Sequence, residues 1–165
     1  MLFDLEAIRE FPIEIYGEPQ KLTDTMSLAR VRIFYKGRNR NGSYITDEFA
    51  NQLIDTLPYS PVKGIWDDED FTDHGTGRTQ GKAFGVTMSK DDMNFAWEDH
   101  LDKDGVVRTY ACANVVLWTA LYEEAKKIPG KSQSMELYEP SIEGVWEWRE
   151  GVRVFRYTKA SFLGL

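Results

Sequence analysis

The sequence has little cysteine, little histidine and no long apolar run, and each shortage excludes a class of protein. One cysteine among 165 residues cannot form an internal disulfide, and no Cys/His cluster has the spacing of a zinc motif. We therefore predict no metal and no other cofactor. No apolar segment approaches the roughly 18 residues that a membrane-spanning helix needs, and the first ten residues lack the basic-then-apolar order of a signal peptide. We expect no membrane partner.

Basic residues are also scarce, since 20 Lys and Arg stand against 27 Asp and Glu and the net charge is −7. This excess of negative charge opposes binding to the phosphate backbone of nucleic acids, and the one basic cluster is the short loop 36–40. We therefore expect no nucleic-acid partner. What is present is a hydrophobic fraction of 42% and an aromatic fraction of 13%, enough to form a core. The length predicts a single domain, residues 1–165, in which 1–26 could form a loose N-terminal arm.

Most of the local patterns are typical of β-strands. Arg30–Tyr35 alternates polar and apolar residues with the period of a half-buried strand, and turn residues 37–42 follow it. Shorter strands are predicted in the middle of the chain. In the final third, 134–148 and 152–165 form two strands joined at 149–151. The apolar last strand, ending at Leu165, suggests that more protein once followed.

Two segments have helical patterns. Thr46 is a good N-cap for a helix whose apolar residues recur at helical spacing before Pro58, and 119–128 predicts a second, short helix. The chain is therefore predicted to be a β-rich α+β protein with few helices, and an open α+β sandwich is the alternative fold.

Two histidines are the candidate general bases. His74 lies in the glycine-containing loop Asp73-His74-Gly75-Thr76-Gly77, directly before the predicted strand 81–86, where a side chain on a loop can serve in catalysis. The alternative is a solvated loop histidine. His100, flanked by acidic residues beside a turn, is interpreted as a surface residue of a charged hairpin.

The candidate nucleophiles are two serines and the cysteine. Ser132 and Ser134 lie where a glycine-led polar loop enters a strand, which can expose a hydroxyl on a rigid element, although such serines are common without any chemical role. Cys112, within a predicted strand, is interpreted as a small buried residue. The acidic run 67–70 is interpreted as a solvated loop. The five tryptophans leave open a sugar- or peptide-binding β module, although aromatic residues more often fill cores.

The order of four segments carries a resemblance: His74, then the strand 81–86, then Ser132-Gln133-Ser134-Met135-Glu136-Leu137, then the apolar strand 160–165. Over residues 28–165 the chain resembles the tailed-phage prohead (capsid maturation) serine proteases. Those enzymes have a histidine shortly before a glycine-containing strand, a serine opening an apolar strand, and a last apolar strand that carries the third catalytic member.

The resemblance implies a catalytic role for particular residues. Ser134 takes the nucleophile position, with Ser132 as the fallback, and His74 takes the position of the base. At the position of the third catalytic member the family has a histidine or an acid, whereas the corresponding strand here offers Ser161. A hydroxyl can orient an imidazole but cannot stabilise imidazolium as a carboxylate does.

The resemblance also implies a fold, partners and a location. The fold would be like that of herpesvirus assemblin, a closed or nearly closed β-barrel flanked by a few short helices. The implied enzyme forms a homodimer, cleaves scaffold and major capsid proteins and itself, and works in the host cytoplasm inside the assembling procapsid. A non-catalytic, protease-like assembly protein of the procapsid is the alternative function.

The register of the last strands bears on Ser161. Reflection of the final hairpin about Glu150 places Ser134 opposite a position just past Leu165, so Ser161 approaches Ser134 only if the register shifts. Pro140 could cause such a break, because proline cannot donate a ladder hydrogen bond.

Overall fold

The protein is mostly β-sheet, with one α-helix among the residues described. The computed structural model describes residues 10–39, 41–66, 71–73, 82–128 and 132–165. Within these residues, no helix is long and apolar enough to cross a membrane. The described part of the chain contains thirteen strands, which are β1 Glu10–Lys21, β2 Ser27–Tyr35, β3 Gly37–Arg38, β4 Ser43–Ile45, β5 Pro61–Trp66, β6 Phe71–Asp73, β7 Lys82–Thr87, β8 Ala96–Leu101, β9 Val107–Leu117, β10 Ser132–Leu137, β11 Glu143–Arg149, β12 Val152–Lys159 and β13 Phe162–Gly164. The helix α1 spans Asp47–Ile54, and two 3₁₀ turns span Glu123–Lys127 and Glu139–Ser141.

The larger sheet has nine strands in the order β13-β10-β1-β2-β9-β7-β5-β6, with β8 also paired to β9. The alternation of residues along its strands explains which side chains of this sheet are buried. In β2, Ala29, Val31 and Ile33 are buried, while Arg30 and Arg32 between them are partly exposed. The register then shifts by one residue before Phe34, which is also buried. The strand predicted from this alternation is confirmed.

The smaller sheet contains four strands in the order β11-β12-β4-β3. β11 and β12 form a tight hairpin, because Glu150 and Gly151 both have positive φ, the backbone of a two-residue turn that matches strand twist. β12 then pairs in parallel with β4, with Phe155 opposite Ser43. The predicted junction at 149–151 is confirmed.

The predicted closed or nearly closed β-barrel is wrong. The described strands are divided between two sheets, and neither sheet closes on itself. The reason is that each of the two long strands predicted in the last third is broken. The chain leaves the larger sheet at the 3₁₀ turn containing Pro140 and returns to it after Ala160. Leu165 makes two backbone hydrogen bonds to β5, but β13 and β5 do not form a paired ladder.

The helix α1 begins as its sequence predicts. The Thr46 side chain accepts a hydrogen bond from the Phe49 N–H at 3.2 Å, which satisfies one of the free donors at the helix start. Phe49 stacks on Tyr157 of β12 with ring centroids 5.1 Å apart, and Leu53 is buried in the same core. The helix thus joins the smaller sheet to the core, which also contains residues of the larger one.

The same helix and the turn that follows it hold the junction between β12 and β13. The Gln52 amide donates to the Ala160 carbonyl at 3.1 Å and accepts from the Ala160 N–H at 3.3 Å. Thr56 accepts from the Phe162 N–H at 3.0 Å. These bonds satisfy backbone groups at the point where the chain changes sheets.

Two segments differ from their sequence patterns. The predicted helix over 119–128 is a five-residue 3₁₀ turn, Glu123–Lys127, with no side-chain hydrogen bond at its N-cap. Residues 10–21, within the segment predicted as a loose arm, form β1 between β2 and β10.

Replacing Gln52 tests the junction. We expect Gln52→Ala to lower the free energy of unfolding by about 1–3 kcal/mol, because it leaves two partly buried backbone groups without their partner. Urea denaturation measures the loss. The control is Asn51→Ala, an exposed residue of the same helix, which should change stability by no more than about 0.5 kcal/mol. Equal effects of the two variants on stability would contradict the claim that Gln52 stabilises the junction.

Candidate functional site

The two candidate serines lie on β10, an inner strand of the larger sheet. In the ladder with β1, Ser134 is opposite Pro12 and Ser132 is opposite Glu14. A strand paired along its length is a rigid element, which is what a catalytic side chain requires of its support. The prediction that these serines enter a strand is confirmed.

On its other edge β10 pairs with β13. Glu136 is opposite Gly164, and the register shifts so that Leu137 is opposite Phe162. The first of these pairs is the one that reflection about Glu150 predicts. The same reflection places Ser134 opposite a position just past Leu165.

Ser161 lies at the far end of β10 from Ser134. The Ser161 carbonyl accepts a hydrogen bond from the Tyr138 N–H at 2.9 Å, and its own N–H donates to the Ser141 hydroxyl at 2.9 Å. Tyr138 is four residues beyond Ser134, and four residues of extended strand span about 13 Å. The backbone therefore does not bring Ser161 beside Ser134, and the role of Ser161 as third catalytic member stays a prediction.

His74 lies outside the described residues, but the strand directly before it is described. β6 ends at Asp73, which is opposite Ile65 of β5. The segment that leads to His74 is thus attached to β5.

The β5 strand also contacts β10, through a buried ion pair. The Lys63 ammonium lies 3.0 Å from Glu136 Oε2, and these side chains are only 18% and 6% exposed. The contact is an ion pair without the alignment of a hydrogen bond. Sequence reasoning missed it, although the acidic Glu136 between the apolar residues Met135 and Leu137 was a signal.

The end of β13 packs against the same part of β5. The Lys63 N–H donates to the Leu165 carbonyl at 2.7 Å, and the Leu165 N–H donates to the Pro61 carbonyl at 2.9 Å. Gly164 fits closely here, since a Cβ at this position would lie 3.0 Å from Lys63 Cε and 3.2 Å from the Pro61 oxygen. These contacts enclose the Lys63–Glu136 pair.

The other weighed candidates lie on the β8–β9 hairpin. Cys112 is fully buried in β9, as predicted. His100 of β8 is partly buried, with its Nε2 3.3 Å from Glu98 Oε1. The charged hairpin predicted around His100 is present: Arg108 of β9 binds Asp102 and Asp104 at its tip.

Residues 24–165 match the family described as the YonD N-terminal domain. The chain belongs to the YonD N-terminal domain family. No curated protein and no solved structure matches it. The part matched to the YonD N-terminal domain contains β2 to β13 and both residues of the buried ion pair, whereas β1 precedes it.

Breaking the ion pair tests its importance to this YonD N-terminal domain. Lys63→Met leaves the Glu136 carboxylate buried without its counter-charge, so we expect a loss of about 3–5 kcal/mol in the free energy of unfolding. Chemical denaturation measures it. Lys90→Met is the matched control, because the Lys90–Asp55 pair is 65% and 62% exposed and such pairs contribute about 0–1 kcal/mol. Adding Glu136→Leu to Lys63→Met should recover much of the loss, and no recovery would contradict a penalty from the unpaired charge.

Proposed function

We propose that this chain is a serine endopeptidase of phage prohead maturation, with Ser134 as the nucleophile and His74 as the base. One observation carries the proposal: the strand that leads to His74 and the strand that bears Ser134 both contact the same stretch of β5. Asp73, directly before His74, is opposite Ile65, and Lys63 binds Glu136, two residues after Ser134. The family is phage-associated, which agrees with such a role.

In the proposed reaction, the His74 imidazole accepts the proton from the Ser134 hydroxyl as its oxygen attacks the carbonyl carbon of a peptide bond. The imidazolium then gives this proton to the leaving amine, and an acyl-enzyme forms. Water, activated by the same imidazole, hydrolyses the acyl-enzyme. Backbone N–H groups would hold the oxyanion, and losing one such donor typically costs about 10²–10³ in rate.

The proposed substrates are the scaffold and major capsid proteins and the chain itself, cleaved within the assembling procapsid in the host cytoplasm. A homodimer is the proposed oligomer. Ser161 remains the proposed third member, although the position of its backbone near Tyr138 means that the chain must rearrange for its hydroxyl to reach the dyad.

A cleavage assay with single variants tests the proposal. The intact gene product is co-expressed with its scaffold and capsid proteins, and the products are resolved by mass. We expect Ser134→Ala and His74→Ala each to reduce cleavage by at least about 10³-fold, because nucleophile and base act as a unit. Ser132→Ala, two residues away on the same strand, is the matched control and should still cleave. Unchanged cleavage in either of the first two variants would reject the proposed dyad.

A non-catalytic assembly protein is the second candidate, and a specific observation favours it. The β11–β12 hairpin exposes Trp148, Trp146 and Val145, with Trp148 74% exposed, along a strand that is the outer edge of its sheet. Apolar surface of this kind on a strand edge is typical of protein contacts. This candidate predicts that Ser134→Ala and His74→Ala leave cleavage unaffected, whereas Trp148→Ser reduces procapsid assembly.

A further inference from the structure

Three metal-binding side chains of different types converge on the β8–β9 hairpin, away from β10. Ala96 is opposite Cys112 and Glu98 is opposite Tyr110, so that Cys112 is the diagonal neighbour of Glu98. His100 follows Glu98 by two residues and shares its side of β8, since successive side chains alternate between faces. The ligand atoms of Glu98, His100 and Cys112 all lie within 4.8 Å of one another.

The carboxylate of Glu98 is already oriented by the neighbouring strand. Arg30 of β2 donates to Glu98 Oε2 from Nε at 3.1 Å and from Nη2 at 2.6 Å. The same guanidinium is fixed by the Asn94 carbonyl and by Asn114 Oδ1. The other oxygen, Oε1, faces His100 Nε2 at 3.3 Å. Hydrogen bonds from neighbouring residues orient carboxylate ligands in this way in metal sites.

The cluster lies at the boundary between core and solvent. The Cys112 side chain is fully buried, while the side chains of Glu98 and His100 are 30% and 19% exposed. An ion could therefore reach the carboxylate and imidazole from solvent and bind the sulfur on its inner side. Tyr110 beside His100 stays a neutral phenol, because burial first and the hydrogen bond to Asp102 second raise its pKa above the usual range.

We propose that Glu98, His100 and Cys112 bind a divalent transition-metal ion of the zinc class. Carboxylate, imidazole and thiolate are the three ligand types of zinc in proteins, and three protein ligands leave a fourth position for water. Around a tetrahedral ion with zinc bond lengths, the ligand atoms stand about 3.3–3.8 Å apart. The Glu98–His100 contact already has this separation. Since no two ligand atoms are more than 4.8 Å apart, each remaining separation must shorten by about 1 Å at most.

Binding releases one proton. The ion forms a bond to the Cys112 sulfur, the S–H bond breaks, and the proton passes to solvent. The positive charges beside the cluster include Arg30, paired with Glu98, and Arg32, which is opposite Cys112 in the ladder between β2 and β9. Arg108 is opposite His100 and is already paired with Asp102 and Asp104. A thiolate in place of a thiol offsets part of this positive charge and that of the ion. Affinity should therefore rise as pH increases.

Linear motif reading missed this site because its ligands come from two strands. Reflection of the hairpin about Asp104 would have placed Cys112 opposite Ala96 and next to Glu98, as the structure has it.

Cobalt(II) is the probe, because its absorption reports the ligand types directly. We titrate the reduced full chain with Co²⁺ and expect a 1:1 complex with tetrahedral visible bands and a near-ultraviolet thiolate-to-cobalt band. Cys112 is the one cysteine of the sequence, so this band can come only from that residue. Added Zn²⁺ should remove it, and a dilution series excludes a band from two chains sharing one ion.

Variants locate the other ligands. Cys112→Ser should abolish the thiolate band, and His100→Gln and Glu98→Gln should each weaken Co²⁺ binding by at least about tenfold, the smallest effect expected even of second-shell changes. His74→Gln, at the other histidine, is the matched control and should bind like the unchanged chain. Should Cys112→Ser fail to fold, release of one proton per ion from the unchanged chain gives an independent readout. Absence of the thiolate band with excess Co²⁺, or its persistence at full strength in His100→Gln, would overturn the proposal.

Discussion

The contact between Lys63 and Glu136 constrains much of the larger sheet. A carboxylate that is 6% exposed is tolerated only with a counter-charge nearby, and the ammonium on β5 is 3.0 Å away. A shift of β10 by one residue would turn Glu136 away from Lys63 and reverse the faces of its neighbours, the buried Met135 and Leu137. The ion pair therefore fixes the register of β10. The position of Ser134 on that strand depends on it.

Features set by nearby residues could be predicted from the sequence. The helix start at Thr46 and the hairpin turn at 150–151 each depend on a few consecutive residues, and both are present. Reflection about Glu150 also gives the opposition of Glu136 and Gly164, although the hairpin itself pairs Arg149 with Val152 and does not fix that register. The break at Pro140 followed from the chemistry of proline.

The division into two sheets could not be predicted in this way. It depends on the parallel pairing of β12 with β4, which joins Phe155 to Ser43, residues far apart in the chain. No local pattern encodes such a pairing. The resemblance to a family with a barrel fold led to the wrong prediction of a closed or nearly closed β-barrel. The 3₁₀ turn over 123–127 has a different, local explanation, since its short segment has a helical pattern but no hydrogen-bonded N-cap. In the candidate site, Ser134 and His74 were predicted from the order of segments along the sequence. The Lys63–Glu136 pair and the cluster of Glu98, His100 and Cys112 join residues of different strands, so they can be recognised only when the strand pairing is known.

The proposed mechanism requires Ser134 on β10 to be an activated nucleophile, and covalent labelling tests this most directly. A fluorophosphonate reacts with a serine whose proton is removed by a base, and peptide mass spectrometry then identifies the modified residue. We expect one adduct, on Ser134, formed in the intact chain and lost in His74→Ala. An adduct that forms equally well without His74, or a chain that stays unlabelled when it is intact, would contradict it.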